Sequence, residues 1–502
     1  MIAKIQSYTL YGLTGIPLEV EVDVNNGLPA FDIVGLGDAA VKESKERVRS
    51  AVKNSGRIIP PKKITVNFAP AFIKKSGSAF DLPLAIGVLC ATGQLVANVG
   101  NTVFLGELSL DGSVKKVVGV LPTLISAIAD GYKTFIIPKE NAKEASFVSG
   151  ADIYAAESLS EVIDHLSGLS PLDKIFSAPR DTQSAHKNYD SDMAFVKGQA
   201  VAKRALEVAV SGGHNILFVG APGTGKTMLA KCIPSIMPDM SFEEAIETTK
   251  IYSVAGLLGS EGIVNLRPFR SPHHTATSVA LTGGGASLRP GEISLAHNGV
   301  LFLDEMPEYS RQTLEALRQP LEDGVISVSR ATGTVKYPAN FILCGSMNPC
   351  SCGNYGSETK ECTCTPAQIA KYKAKISGPL LDRIDIKIDV DEVKYSELTE
   401  KAQGESSADI RKRVNRTRKI QAERFKNDGI SVNADMREKH IAKYCVLSPE
   451  CEKILKNAYE SLHFSPRARS RVIKVARTIA DMDLYDEILP KHLLEAINYR
   501  NG

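Results

Sequence analysis

Val219-Gly-Ala-Pro-Gly-Thr-Gly-Lys-Thr-Met-Leu229 is the most informative stretch of this sequence, because its segment Gly220–Thr227 matches the phosphate-loop pattern G-x-x-x-x-G-K-[ST] at every position. The apolar run Asn215–Val219 before it predicts a buried strand, and Met228–Ile233 after it predicts a helix. This context makes a chance match in a glycine-rich turn the weaker interpretation. Glycines let backbone N–H groups turn toward anionic phosphates, and the helix directs the positive end of its dipole at them. The sequence therefore predicts a nucleoside triphosphate site formed by Gly220, Ala221, Pro222, Gly223, Thr224, Gly225, Lys226, Thr227 and Met228.

Side chains with distinct chemical roles are expected around this loop. Lys226 can reach the β- and γ-phosphates, and the Thr227 hydroxyl can join the ligands of Mg²⁺. The apolar run Gly299–Leu303 ends in Asp304 and Glu305, which is typical of a central strand that carries acids to its tip. We expect Asp304 to hold Mg²⁺ through its waters. Glu305 is expected to orient and deprotonate the attacking water.

A third strand is predicted from the apolar run Asn340–Met347, which ends at Asn348. An asparagine at the end of a strand is commonly a turn residue. In this order along the chain, we favour a hydrogen bond from Asn348 to the attacking water or the γ-phosphate.

The composition limits the kind of protein this is. A chain of 502 residues is long enough for about two to four domains. Its net charge of +3 means that any basic surface must be local. No apolar run approaches the ~20 residues of a membrane helix, and Met1–Leu10 lacks the features of a signal peptide. The nine cysteines then indicate reduced thiols or metal ligands, and we expect a cytoplasmic protein.

Several further stretches turn the pattern of phosphate loop, acidic strand and asparagine-tipped strand into a family resemblance. The pattern resembles an AAA+ ATPase. Four stretches narrow it to the magnesium-chelatase-like AAA+ proteins typified by YifB and ComM: Arg270–His274, Gly283–Ala286, Pro290–His297 and Gly378–Asp385. The resemblance covers essentially the whole chain.

The resemblance assigns roles to two arginines. Arg383 matches the arginine finger, which reaches into the site of a neighbouring subunit, and Arg467 matches the second sensor arginine of the helical lid. The alternative is a surface arginine paired with an adjacent acid, such as Asp382 or Asp385 beside Arg383. A finger that acts on a neighbour requires a homo-oligomer, and the resemblance implies a ring, most simply a hexamer.

The N-terminal part resembles the ribosomal-protein-like fold of the Lon protease domain, most closely at Lys74–Ala79 and Gly106–Ser113. Ser78 falls where Lon-type enzymes keep their nucleophile. The position of their lysine base corresponds to Pro122, which has no side-chain base. We therefore expect a scaffold or a nucleic-acid-binding domain here rather than a peptidase.

The fold class follows from these resemblances and from the element pattern. We predict an α/β multi-domain chain whose parts are a Lon-like α+β domain at residues 1–170, a polar linker at 171–192, an AAA+ core with a parallel sheet at 193–394, and a helical lid at 395–502.

Alternation on both sides of a Thr-Gly pair predicts a β-hairpin over Val325–Tyr337. In this AAA+ branch such a hairpin points into the central channel of the ring. Arg330 and Lys336 are candidate contacts to the DNA backbone, whose attraction weakens with salt. The alternative is a solvated hairpin edge that is protected by its charges.

Cys350, Cys352, Cys362 and Cys364 form a C-x-C…C-x-C set that suits tetrahedral Zn²⁺. A redox-sensitive pair and plain reduced cysteines are the alternatives. A loop role is expected for His273 and His274, because adjacent histidines cannot easily face one metal.

The C-terminal part is expected to be helical, with a strongly basic run at Ile410–Arg424. Such a run is usually a solvated helix face, and nucleic-acid contact is the sharper alternative.

The combined interpretation is a Mg²⁺-dependent AAA+ ATPase that moves along single-stranded or branched DNA. The resemblance suggests a hexameric helicase or branch-migration translocase in recombination or natural transformation. One alternative is a chelatase-type motor that drives metal insertion into a porphyrin or corrin. Another is a slow ATPase scaffold.

Overall fold

The computed structural model describes residues 2–73, 75, 77–178, 189–285, 288–330, 333–357, 360–393, 404–462 and 464–501. Within these residues the chain forms a mixed N-terminal sheet with helices, a central parallel sheet with helices, and a C-terminal group of helices. The predicted mixed α/β fold with a parallel sheet around the phosphate loop is confirmed. None of the described helices is long and apolar enough to cross a membrane.

The N-terminal sheet has eight strands among the described residues, and alternation of side chains dictates which face of each strand is buried. In the strand Thr14–Asn25, for example, Leu18, Val20 and Val22 are buried between partly exposed glutamates. In spatial order the strands are Asp173–Lys174, Asp152–Ala156, Thr134–Pro138, Thr102–Phe104, Ile2–Tyr11, Thr14–Asn25, Lys63–Ala69 and Ala30–Val34.

Helices cover this sheet and bury its apolar faces. They are Ala39–Asn54, Asp81–Ala91, Val120–Ala129, Ala142–Ala145 and Leu159–Leu166. The edge strand Asp173–Lys174 lies in the segment that the sequence predicts as linker, because it pairs antiparallel with Asp152–Ala156. The rest of the predicted linker includes residues 179–188, which lie outside the described residues.

In the described part of the chain, the central sheet has five strands, all parallel. Its spatial order is Phe269–Arg270, Val300–Leu303, Ile342–Met347, Ile216–Val219 and Ile386–Asp389. Ile216–Val219, which is first in the chain, therefore lies between the fourth and the fifth. Ligands of open parallel sheets bind outside the carboxyl ends of the strands at such a reversal of order.

The helices and short elements of the central region surround this sheet. The helices are Ala200–Gly212, Lys226–Ile236, Phe242–Ala255, Ser278–Thr282, Glu292–Leu295, Arg311–Glu315, Pro320–Asp323, Pro366–Lys373 and Gly378–Leu381. Two hairpins project from it, formed by Gly283–Gly284 with Arg289–Pro290 and by Val325–Arg330 with Gly333–Pro338.

The C-terminal helices are Ser407–Arg424, Glu438–Tyr444, Pro449–Ser461, Pro466–Met482 and Pro490–Asn501. Three of them begin after a serine whose side chain accepts a hydrogen bond from the third helical N–H, at Ser406, Ser448 and Ser465. Their apolar faces share one hydrophobic core with the phosphate-loop helix and the central sheet. Movement of the lid would therefore have to repack part of the core behind the phosphate loop.

The expectation of a solvated face on the basic helix Ser407–Arg424 is wrong for three of its arginines. Arg413 donates to Glu207 over 2.6 Å and also binds Glu405. Arg418 donates to the Val210 carbonyl oxygen over 2.8 Å, and Arg424 binds Asp481. Arg413 and Arg418 hold the lid to the central helix Ala200–Gly212, and Arg424 holds two helices of the lid together. These guanidinium groups are therefore not available to nucleic acid in this arrangement.

The N-terminal and central regions are in direct contact. The buried carboxylate of Glu144 accepts a hydrogen bond of 2.6 Å from the Ser253 hydroxyl, and Gly119 N–H donates to the Ser253 carbonyl oxygen. Farther along the same interface, the Tyr11 hydroxyl donates to the carbonyl oxygen of Thr334 in the second hairpin. The N-terminal sheet thus touches the hairpin that carries the predicted DNA contacts.

Candidate functional site

The phosphate loop lies at the carboxyl end of the strand Ile216–Val219 and runs into the helix Lys226–Ile236. Gly223 and Gly225 have φ angles of 87° and 90°, in the left-handed region that glycine adopts most readily. Gly220 needs its missing side chain for a different reason: a Cβ there would lie 2.4 Å from the Val390 carbonyl oxygen. The glycines of the motif therefore meet a local steric requirement.

Lys226 is held inside the loop. Its ammonium donates to the carbonyl oxygens of Gly220 and Ala221 over 2.6 and 2.8 Å. Burial lowers the pKa of this ammonium, and the carboxylates of Asp304 and Glu305 oppose that shift. The cation is thus positioned at the centre of the loop, where it can pair with phosphate oxygens.

The Thr227 hydroxyl donates a hydrogen bond of 2.9 Å to the Asp304 carboxylate. These two residues are 77 positions apart in the chain, and the parallel pairing of the sheet brings them together. Hydroxyl and carboxylate oxygens are hard ligands of the kind that Mg²⁺ prefers. The pair therefore fits a Mg²⁺ site next to the phosphate loop.

Ser346 is not among the residues predicted from the sequence, although it lies between the two halves of the site. Its hydroxyl donates to Asp304 and accepts the backbone N–H of Glu305 over 3.0 Å. It is 1% exposed, in a strand whose other described residues are apolar or glycine. A polar residue in an otherwise apolar predicted strand is the signal that could have identified it.

Glu305 has φ = 50°, a left-handed conformation that is uncommon for a residue with a side chain. Non-glycine residues in this region persist where the surrounding structure compels them, and they are frequent at functional sites. The side chain of Glu305 is exposed, whereas Asp304 is half-buried. The two acids therefore lie in different environments.

Asn348 lies at the end of the strand Ile342–Met347, and its side-chain oxygen accepts a hydrogen bond of 3.3 Å from Lys226. The three predicted motifs therefore converge: the loop, the acidic strand end and the asparagine lie within hydrogen-bond reach of one another through Lys226, Thr227 and Asp304.

Gln199 is a second residue that the sequence does not predict. Its side-chain amide donates to the carbonyl oxygens of Thr224 and Asp391, and so joins the phosphate loop to the chain after the last strand. Gly198-Gln199 has left-handed backbone at both positions. Next to it lies a cavity of about 470 Å³ whose lining includes Phe195, Pro222, Gly223, Met228 and Glu392.

Arg383 and Arg467 line one cavity of about 280 Å³, together with Glu322 and Arg471. Arg383 is 8% exposed and its guanidinium binds Glu322. That contact lowers the pKa of the Glu322 carboxyl. Arg467 is exposed at the start of its helix.

The suggested pairing of Arg383 with Asp382 or Asp385 is wrong. Asp382 lies 3.7 Å from Arg500, and Asp385 binds Arg471, so both acids face the lid. Burial opposes ionisation of Asp385, but Arg471 and then His214 outweigh it and hold the pKa of that carboxyl below its usual range.

Arg383 lies near the amino ends of the central strands, whereas the phosphate loop lies at their carboxyl ends. The side-chain amide of Asn215, just before the strand Ile216–Val219, donates to the Arg383 carbonyl oxygen over 3.0 Å. The loop begins after the other end of that strand. Four residues of strand span about 13 Å, so the Arg383 backbone is far from the loop of its own chain.

Arg330 and Lys336 are exposed on the predicted hairpin, whose Ile326, Val328, Val335 and Tyr337 are buried on the other face. Ala331 and Thr332, between its two strands in the sequence, lie outside the described residues. A Cβ on Gly284 of the neighbouring hairpin would lie 3.0 Å from the Arg330 guanidinium, and Gly284 pairs with the exposed Arg289. Arg289, which the sequence does not predict, therefore adds a third charge near Arg330.

The four predicted cysteine ligands come together, with their sulfur atoms all within 4.8 Å of one another. His273 and His274 stack on each other with ring centroids 4.0 Å apart, and His274 also faces Tyr309.

Ser78 of the N-terminal domain donates to Glu107, and Pro122 is buried in the helix Val120–Ala129. None of these N-terminal contacts supplies Ser78 with a lysine base.

The phosphate loop and the Thr227–Asp304 pair that fits Mg²⁺ lie at the carboxyl ends of a parallel sheet. They place this chain among the phosphate-loop nucleotide-binding proteins. Three family profiles match it. Their descriptions are "Magnesium chelatase, subunit ChlI" over residues 192–398, "Subunit ChlI of Mg-chelatase" over 20–141, and "Magnesium chelatase, subunit ChlI C-terminal" over 404–500.

Curated proteins match almost the whole chain or a large part of it. YifB of Salmonella typhimurium is 42% identical over 501 residues, which are 99% of this chain and 97% of that protein. The competence protein ComM of Haemophilus influenzae is 42% identical over 503 residues, again 99% and 97%. The zygotic DNA replication licensing factor mcm6 of Xenopus tropicalis is 22% identical over 389 residues, 70% of this chain and 42% of that protein.

The chain therefore belongs to the magnesium-chelatase-like family of AAA+ proteins that contains YifB and ComM. The family resemblance predicted from the sequence is confirmed. Membership of this family implies ATPase activity, with ATP and Mg²⁺.

Proposed function

We propose that this protein is a Mg²⁺-dependent AAA+ motor that hydrolyses ATP to move along or remodel DNA. The observation that carries the ATPase part is the hydrogen bond between Thr227 and Asp304, which unites two motifs far apart in the chain. The DNA part is supported by relatives named as a competence protein and a DNA replication licensing factor, and by the charged hairpins.

Each residue of the nucleotide site has a chemical task in this proposal. Lys226 and the loop N–H groups bind the β- and γ-phosphates, while Thr227 and Asp304 hold the metal ion. Mg²⁺ bound there would neutralise charge on the phosphates. Glu305 accepts a proton from the attacking water, and Asn348 hydrogen-bonds that water or the γ-phosphate.

The position of the arginines supports an oligomer. Arg383 lies near the amino ends of the central strands, away from its own phosphate loop. The helix that carries Arg467 is bound next to it, because Arg471 donates to the Arg383 carbonyl oxygen over 3.2 Å. This position supports the proposal that both guanidinium groups act on the site of a neighbouring subunit. We propose a homo-oligomeric ring, most simply a hexamer, in which Arg383 and Arg467 stabilise charge on the transferring phosphoryl group.

The DNA contacts proposed are Arg330 and Lys336, and we add Arg289 because it lies near Arg330 on the neighbouring hairpin. All three are exposed, and they lie on two adjacent hairpins. Contacts of this kind neutralise phosphodiester charge without reading base sequence, so they suit a motor that moves along any DNA.

A motor for metal insertion into a porphyrin or corrin is the second candidate, because the matching profiles are described as magnesium chelatase subunits. Steady-state ATPase assays separate the candidates when single-stranded DNA, forked DNA or protoporphyrin is added at the same ionic strength. We expect stimulation by DNA, most by the forked substrate. Stimulation by protoporphyrin alone would favour the chelatase-type motor. A slow rate that no additive changes would favour a nucleotide-gated scaffold.

A further inference from the structure

We propose that Cys350, Cys352, Cys362 and Cys364 bind one Zn²⁺ ion, and that this ion stabilises the loop that packs against the phosphate loop. The metal part stands on the geometry of the four thiols alone. The functional part rests on the proposed ATPase, since it concerns how well the phosphate loop and Asn348 are held.

The sulfur atoms have the spacing of a single tetrahedral ion. Cys350, Cys352 and Cys362 form a triangle with Sγ–Sγ edges of 3.3, 3.6 and 3.7 Å, and Cys364 completes a group that spans no more than 4.8 Å. A Zn–S bond of about 2.3 Å in a tetrahedron places its sulfurs about 3.8 Å apart. The triangle is therefore one face of a tetrahedron of the size that Zn²⁺ requires.

The same triangle argues against disulfides and against a larger cluster. A disulfide would draw two sulfurs to about 2.05 Å and leave the third apart, whereas these three are nearly equidistant. Iron–sulfur clusters with several irons insert sulfides between the metals and so spread their cysteines. A single soft divalent ion is the occupant that fits.

Groups around the sulfurs also suit thiolates. The backbone N–H of Tyr355 points at the Cys350 sulfur over 3.4 Å, and the Ser351 hydroxyl lies 3.3 Å from the Cys364 sulfur. Hydrogen bonds of this kind from outside the ligand set orient metal ligands and stabilise their negative charge.

The position of the cluster links it to the nucleotide site. Cys350 is buried and follows Asn348 by two residues. Gly353 lies in the same loop and approaches the phosphate loop so closely that a Cβ there would be 2.7 Å from Pro222 Cδ. The described part of the loop between Met347 and Pro366 has no helix or strand whose hydrogen bonds could hold it in place. A bound ion would therefore supply the constraint that fixes the position of Asn348 and the contact of Gly353 with Pro222.

The test begins with metal content of the full-length protein, purified without a metal-affinity tag and measured by plasma mass spectrometry. We expect about one zinc per chain, and its loss in Cys362→Ser and in Cys364→Ser. Cys90→Ser is the matched control, because Cys90 is a free, half-buried thiol outside the cluster, and it should keep the zinc. Iron in place of zinc, no metal, or zinc retained in both cluster variants would overturn the site.

Zinc removal from the wild-type chain by a mercurial and a chelator keeps the test valid if a variant fails to fold. Circular dichroism reports whether the chain stays folded, and a fluorescent ATP analogue reports nucleotide affinity. We expect the affinity to fall, because the loop that holds Gly353 against Pro222 loses its constraint, and to return when excess thiol displaces the mercurial and Zn²⁺ is restored. Unchanged nucleotide affinity in zinc-free folded protein would refute the proposed stabilisation of the nucleotide site by zinc. Zinc bound by a chain without ATPase activity would refute the proposed function instead, and leave the metal site in place.

Discussion

Arg383 binds Glu322 rather than either of the aspartates that flank it, because Asp382 and Asp385 are turned toward arginines of the C-terminal helices. The segment from Asp382 to Asp385 therefore makes contacts in two directions. Its acids hold the lid, and its arginine lies in a cavity that also contains Arg467. The arrangement leaves Arg383 paired with Glu322, an exposed acid, which in our proposal gives way to the triphosphate of a neighbouring subunit.

Arg383→Ala is expected to abolish ATPase activity, by about 10³-fold or more, while nucleotide affinity stays unchanged. The reason is that the guanidinium would act only on the transferring phosphoryl group of a neighbour. Glu322→Gln, which removes the partner and keeps Arg383, should retain activity. Turnover assays and titration with a fluorescent ATP analogue measure the two quantities.

Mixing gives the decisive control for this role. Arg383→Ala chains have an intact phosphate loop, and Lys226→Ala chains have an intact Arg383, so co-assembled subunits should regain activity that neither has alone. Failure of every mixture to recover turnover, in assemblies shown to contain both variants, would contradict action across subunits.

Asp304→Asn should lower turnover about 10²-fold and raise the Mg²⁺ concentration needed for half-maximal activity, since an amide is a weaker Mg²⁺ ligand than a carboxylate. Ser346→Ala should change both quantities in the same direction but by less, because Ser346 hydrogen-bonds Asp304 and the Glu305 backbone and is not itself a proposed Mg²⁺ ligand. Activity titrated with Mg²⁺ at saturating ATP measures both. A Ser346→Ala enzyme with unchanged Mg²⁺ dependence would remove Ser346 from the site.

Glu305→Gln should leave ATP bound and unhydrolysed, with a rate reduced by about 10² to 10⁴, because an amide cannot accept the proton of the attacking water. The substitution preserves size and hydrogen bonding, so nucleotide affinity should stay the same. Recovery of intact ATP from the isolated complex, rather than ADP, is the readout. An enzyme that hydrolyses at the wild-type rate would show that another group acts as the base.

Asp385→Asn should destabilise the chain by about 3 kcal/mol at neutral pH, since it leaves Arg471 and His214 without their buried carboxylate. The folded-state pKa of Asp385 is below its unfolded value of about 3.9, so the ionised carboxylate stabilises the fold above that pH. This contribution is lost as pH falls through the lower, folded-state pKa. The stability difference between wild type and Asp385→Asn should therefore be constant above about pH 5 and shrink in stronger acid. Chemical denaturation across the pH range measures it, and a difference that grew on acidification would contradict the assignment.

Arg330→Glu combined with Lys336→Glu should weaken DNA binding for all sequences alike and reduce the dependence of binding on salt, because each lost phosphate contact removes about 0.9 from the log–log slope on duplex DNA. ATPase activity without DNA should be unchanged. Lys453→Glu, on an exposed lysine of the lid, is the matched control for charge reversal. If the double variant and the control bound DNA equally well, the hairpin would be excluded as the contact surface.

The central sheet and its nucleotide motifs could be predicted from sequence because their signals are local. Apolar runs of four to six residues form the strands Ile216–Val219, Val300–Leu303 and Ile342–Met347, and the functional residues follow them directly. The strand Asp173–Lys174 was not predictable in this way, because two polar residues become a strand only through pairing with Asp152–Ala156.

What the sequence determined by itself is the backbone that each segment can adopt and the side chains that a loop or strand end presents: the glycines of the phosphate loop, the acids after Leu303, the cysteine pairs. Only the tertiary structure decided which of these meet. The contacts of Ser346 with Asp304, Gln199 with Asp391, and Arg383 with Glu322 join residues 42, 192 and 61 positions apart. The physical reason is that dihedral preferences act over a few residues, whereas a long-range contact depends on how all the strands between its partners pack.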